Sequence, residues 1–120
     1  MRYLVLLKGK PMNEPPPAAL MEAIAALGVE ATRSGALLDT AGLMPRAAGA
    51  RLTLIGGELD ITDGPFTEAK ELVSYALWEV RGPDDAVAWT RRFLAAHQEH
   101  WPAWEGEADV VKVMGPEGIG

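Results

Sequence analysis

The pair Gly56-Gly57 does most to restrict how this chain can fold. It separates two strand-like runs, 52–55 and 58–62, and a two-residue Gly-Gly loop suits a primed hairpin turn, whose central residues need positive φ. Such a turn fixes the register. Leu54 then faces Leu59, Leu52 faces Ile61 and Thr53 meets Asp60, so one face of the ribbon is apolar and the other polar. Treated as an insertion, the hairpin can be set aside to ask what the remaining segments build.

Residues 2–7 are almost continuously apolar, as in a strand buried on both faces. Residues 11–17 hold four prolines and form a loop, and Pro17 is suited to the first turn of a helix. Leu20, Ile24, Leu27 and Ala31 recur at helical spacing, which predicts one apolar stripe on a helix ending near Ser34, with Gly35 as its left-handed cap. Gly28 weakens that helix by about 1 kcal/mol relative to Ala, and a close helix–sheet approach would be a reason for it. Residues 36–43 read as a second strand. Residues 72–80 form a third, with Val73, Tyr75 and Leu77 on one face and Leu72, Ala76, Trp78 and Val80 on the other. Gly82-Pro83-Asp84-Asp85 starts a second helix with acids near its positive end. Its inward stripe uses Ala86, Trp89 or Thr90, Phe93 and His97, and Pro102 stops it. Residues 109–114 make a last strand.

Without the hairpin the order is βαββαβ, which predicts an α+β ferredoxin-like sandwich carrying an inserted β-hairpin. One domain over residues 1–114 is expected, followed by a flexible tail over 115–120. Both helices of such a sandwich cover the same face of the sheet. The strands at 2–7 and 72–80 are nevertheless apolar on both sides, so the bare face is expected to bury itself in a homodimer, sheet to sheet, over roughly 1,600 Å² or more.

Charge and cysteine usage exclude several functions. The 120 residues carry a net charge of -6, and their 11 Lys and Arg are scattered, with Arg91-Arg92 the one adjacent pair. Direct nucleic-acid binding, which needs clustered cations, is not expected. The absence of cysteine removes disulfides, thiol nucleophiles and thiolate metal sites and fits a reducing cytoplasm, the expected location. The apolar run at 2–7 is too short to span a bilayer and lacks the features of a secretory signal, so no membrane association is expected.

Backbone-special residues and possible chemistry coincide in Thr62-Asp63-Gly64-Pro65-Phe66-Thr67-Glu68-Ala69-Lys70-Glu71. Asp63 has two readings. As a turn former it accepts hydrogen bonds from nearby amides, with Gly64 permitting positive φ, Pro65 fixing the next φ and Phe66 anchoring the turn by burying its ring, a contribution of about 2–3 kcal/mol. As a functional group it is a ligand-binding carboxylate or a general base. Glu68, Lys70 and Glu71 form either a solvated rim or the edge of a cleft. Tyr3, Lys8, Arg51 and Asp63 are candidates to converge at one end of the sheet around a small polar or anionic ligand, with Phe66 and Lys70 beside them. His97 shares a helical stripe with Trp89 and Phe93, as expected of a partly buried, backbone-bonded histidine. With His100 it offers zinc two rings, to which Glu99 or Glu105 could only be guessed as additions. No metal or cofactor is therefore expected. Trp101 and Trp104 bracket Pro102 and are expected to cap the core or a dimer edge.

The motif Leu59-Asp60-Ile61-Thr62-Asp63-Gly64-Pro65-Phe66-Thr67-Glu68-Ala69-Lys70-Glu71, the opening Met1-Arg2-Tyr3-Leu4-Val5-Leu6-Leu7, the run Trp89-Thr90-Arg91-Arg92-Phe93-Leu94 and the late Val110-Val111-Lys112-Val113 give the chain its likeness. It resembles the YCII-related family, in its DGPF-type branch. The resemblance implies a dimeric α/β barrel of ferredoxin-like protomers and, for some similar proteins, a link to extracytoplasmic-function sigma factors. A histidine–aspartate dyad proposed for the broader group places its histidine on the first helix. This chain has none between Pro15 and Gly35, so the dyad does not carry over. The expected function is a small dimeric binding or accessory module, with a small-molecule ligand and a sigma-factor system as partners. The alternative is an enzyme acting on a small polar substrate, with Asp63 as general base and Lys70 or Arg51 holding the substrate's charge.

Overall fold

Eight elements follow one another along the described residues, which in this computed structural model are 1–44, 49–63 and 70–115. They are β1 (Arg2–Gly9), α1 (Ala18–Arg33), β2 (Leu37–Gly42), β3 (Ala50–Ile55), β4 (Glu58–Asp63), β5 (Glu71–Glu79), α2 (Pro83–His100) and β6 (Gly106–Lys112). β2, β5, β1 and β6 form one sheet in that order, every neighbouring pair antiparallel, while β3 and β4 pair as a separate ribbon. The architecture is α+β with antiparallel sheets, compatible with a ferredoxin-like fold. No helix among the described residues is long and apolar enough to cross a membrane.

Local chemistry accounts for the boundaries. The chain enters α1 from Pro17, and Gly35 leaves it at φ +82, a conformation that a side chain would strain. Pro83 occupies the first turn of α2, with Asp84 and Asp85 beside the helix's positive end. Gly56 and Gly57, at φ +59 and +82, make the hairpin turn, and the register is Leu54↔Leu59, Thr53↔Asp60, Leu52↔Ile61, as the sequence requires.

Strand boundaries shift by one to three residues from expectation, β6 the most. β6 begins at Gly106, because the ladder with β1 continues to a Gly9↔Gly106 pair where sequence reading sees only a breaker, and its strand pairing stops at Lys112. A register shift between Leu7 and Lys8 sets Lys8 opposite Leu72 and interrupts the simple alternation expected along β5. Gly28 also departs from expectation. Nothing lies within 4 Å of where its Cβ would be, so no close helix–sheet approach explains it. It lines a cavity of about 70 Å³ between α1 and the sheet.

Alternation along β1 divides the sheet into two faces. Tyr3, Val5 and Leu7 are buried beneath the helices, and Val5 and Trp78 pack with Ala31 and Ala36 in the core. Trp78 stacks on Trp89 at 5.4 Å, and the Arg92 guanidinium lies 4.9 Å from the Trp89 ring centre. Arg92 then grips Glu30 of α1 through two hydrogen bonds, 2.6 and 2.8 Å. This ladder joins the two helices to each other and to the central strand.

The opposite face has no helix over it. By register it carries Leu4, Leu6, Tyr75, Leu77 and Val111. Charged pairs bound this strip: Lys8–Asp109 at 2.9 Å and Lys70–Glu107 towards one end, Arg2–Glu79 at 3.7 Å at the other.

Candidate functional site

The residues singled out by sequence do not form one cluster. Tyr3 is buried on the helix side near the start of β1, and its hydroxyl faces the Met1 sulfur at 3.8 Å. Lys8 lies near the far end of β1 on the opposite face. Asp109 holds its ammonium and raises its pKa above the ordinary lysine value. Lys70 pairs with Glu107, so Lys8 and Lys70 do share one end of the sheet. Arg51 stands in the separate ribbon opposite Thr62, and the Asp63 backbone closes β4 opposite Ala50. The Asp63 side chain, Phe66 and Glu68 fall outside the described residues, and with them the general-base reading.

A concave site exists elsewhere, where α2 overhangs β6. The inward positions of β6 are small: Gly106, Ala108 and Val110 face the helices opposite Gly9, Leu7 and Val5. Side chains of that size cannot fill the space beneath α2. A groove of about 770 Å³ results, within the range of small-molecule sites. One wall is the α2 stripe Val87, Arg91, Leu94 and Gln98; Trp104 and Glu105 close the end.

Trp104 takes its place because two glycines oppose each other. A Cβ on Gly9 would come within 2.5 Å of the Trp104 indole nitrogen, and one on Gly106 would meet both the indole ring and the Lys8 carbonyl. The paired glycines therefore leave a bed for the indole.

His97 lies against it, with ring centres 4.6 Å apart, and Phe93 also contacts the imidazole at 4.9 Å. His97 Nδ1 is 3.0 Å from the Phe93 carbonyl. A carbonyl can only accept, so Nδ1 carries the proton and Nε2 of the neutral ring is an acceptor. Burial holds the imidazole below its ordinary value of 6.5, with the Phe93 hydrogen bond acting in the opposite sense. Arg91, on the same groove, is not engaged in an ion pair among the described residues, in contrast to its clamped neighbour Arg92.

The lowered His97 pKa has a consequence for stability. Between the folded-state pKa and 6.5, the unfolded chain binds the proton more readily than the folded one. The stabilisation is complete above pH 6.5 and drains as pH falls from there through the folded-state value. Urea midpoints measured from pH 7.5 to 5.5 are expected to decline in the parent protein and to flatten in a His97→Gln variant. Equal slopes would show that His97 is not the group responsible.

The backbone-bonded histidine was legible from its helical stripe; the groove was not. Its signal is the run Gly106-Glu107-Ala108-Asp109-Val110, small on every inward position, but this becomes visible only once the strand is known to start at Gly106. Neither a protein-family model nor a curated protein matches the chain.

Proposed function

We propose that the chain is a homodimeric small-molecule binding module of the DGPF type, with its ligand in the groove between α2 and β6. The observation that carries this reading is the His97 imidazole: buried in contact with two aromatic rings, fixed in one tautomer and lining a groove large enough for a ligand. A neutral imidazole acceptor recognises a hydroxyl or N–H. Arg91 supplies a cation for an anionic group, and Val87, Leu94, Ala108 and Val110 receive an apolar body. The matching ligand is a small amphipathic acid that also carries a hydrogen-bond donor. The homodimer follows from the uncovered sheet face, whose apolar strip lies between ion pairs.

4-Hydroxybenzoate, which combines these three features, is a suitable probe. At a hundredfold excess over its Kd it should raise stability by about 2.7 kcal/mol. Arg91→Gln is expected to weaken it about tenfold, the scale of one charge-assisted hydrogen bond. Affinity should also fall as His97 becomes protonated, since the imidazolium no longer accepts at Nε2. Benzoate and benzyl alcohol, each lacking one polar group, separate the two contacts. Trp104 fluorescence and thermal stability unchanged by all three compounds would overturn this ligand class.

A further inference from the structure

We infer that the β3–β4 hairpin is an exchanged arm, its apolar face lying on the open sheet face of a second copy of the chain. The inference rests on the homodimer reading above and adds which surfaces meet. Leu52, Leu54, Leu59 and Ile61 share one face of the ribbon by register, and they are 64%, 67%, 70% and 69% exposed. An isolated two-stranded ribbon is marginal in water at best, and stability requires a third strand or a surface to pack on. Four large aliphatic side chains so far exposed identify the face that needs covering.

The chain itself carries a surface of matching character. Leu4, Leu6, Leu77 and Val111 make an apolar strip on the open sheet face, with ion pairs at both ends and Asp39 and Asp109 along its sides opposite Leu77 and Leu6. That strip alone is narrow beside the roughly 800 Å² per partner of a standard interface. Adding one hairpin face to each sheet face enlarges the contact with side chains that are otherwise solvated.

The carboxylates that flank the sheet strip already have partners, Asp39 holding the Tyr75 hydroxyl at 2.8 Å and Asp109 the Lys8 ammonium at 2.9 Å, so an apolar ribbon laid between them need not strip either of its partner. The hairpin springs from between β2 and β5, which are still bonded at Leu43 N–H to the Val73 carbonyl, at 2.8 Å. Its strands of six residues extend about 20 Å, long enough to cross a four-stranded sheet. Twofold symmetry uses each surface twice and closes the assembly at two copies, which favours a second copy over an unrelated partner.

The absence of cysteine makes a clean test possible. Leu59→Cys protein bearing a size tag is mixed with untagged Leu77→Cys protein and oxidised, with Asp60→Cys on the polar hairpin face as control. A mixed-copy disulfide is expected from Leu59→Cys and not from the control. A Leu54→Lys/Leu59→Lys variant, checked for folding by circular dichroism, is expected to dimerise at least 100-fold more weakly in sedimentation equilibrium.

A dimer unaffected by those lysines, with no hairpin-to-sheet cross-link, overturns the arm while leaving the homodimer standing. A parent protein that is monomeric at micromolar concentration overturns both. With both cysteines in one chain diluted into excess parent protein, a disulfide confined to that chain shows the hairpin folding onto its own sheet, which also overturns the exchange.

Discussion

Gly106→Val should destabilise the protein by about 3 kcal/mol, the scale of overpacking a filled site. The reason lies beyond steric crowding of a flexible neighbour. A Cβ at this position meets the Trp104 ring and also the Lys8 carbonyl, which belongs to a paired strand and cannot turn aside. Gly9→Ala is the instructive comparison. The atoms it meets belong to the Trp104 side chain, which can move, so its cost should be smaller. Both changes dislodge the indole from the end of the groove and uncover His97. Urea titration gives the stability difference, and near-ultraviolet circular dichroism reports the loss of the fixed Trp104 environment. Gly106→Val with an unchanged urea midpoint would show that the two-glycine bed does not seat Trp104.

Trp78→Ala is expected to cost about 4 kcal/mol, within the range for emptying a buried tryptophan site. Trp78 is buried at the junction of β5, β1 and α2, stacked on Trp89. Removing it breaks the ladder that continues through Arg92 to Glu30 on α1. Trp78→Phe should cost much less. Its indole N–H is buried without a hydrogen-bond partner among the described residues, so phenylalanine removes an unsatisfied donor while retaining most of the ring. The two denaturation midpoints, compared directly, separate packing from hydrogen bonding. Equal losses would mean that the indole nitrogen contributes to the fold.

The elements with strong periodicity were legible in the sequence. The Leu20, Ile24, Leu27, Ala31 stripe marks α1, and Gly56-Gly57 sets the hairpin register residue for residue. Both are local signals, each governed by geometry within a few positions. What depended on distant partners was harder to read. Gly106 looks like a strand breaker until Gly9, nearly a hundred positions away, is placed beside it. The bulge at Leu7 and Lys8 leaves no mark on either strand alone, yet it decides what faces Lys8. The candidate site failed to emerge for the same reason. Its walls come from α2 and β6, and its volume comes from side chains that are too small to attract notice individually.

The position of β1 between β5 and β6 also imposes a timetable on synthesis. The first hydrogen-bonded neighbour of Arg2–Gly9 to be made, Glu71–Glu79, begins more than sixty residues after it. At ribosomal speeds of 5–20 residues per second, that interval is roughly 3–12 s. During it the apolar run Leu4-Val5-Leu6-Leu7 has no strand to pair with, and its second neighbour, β6, follows later still. The nascent chain therefore carries a continuous aliphatic strand unpaired for seconds, which makes that segment a natural client for a chaperone that holds short aliphatic stretches.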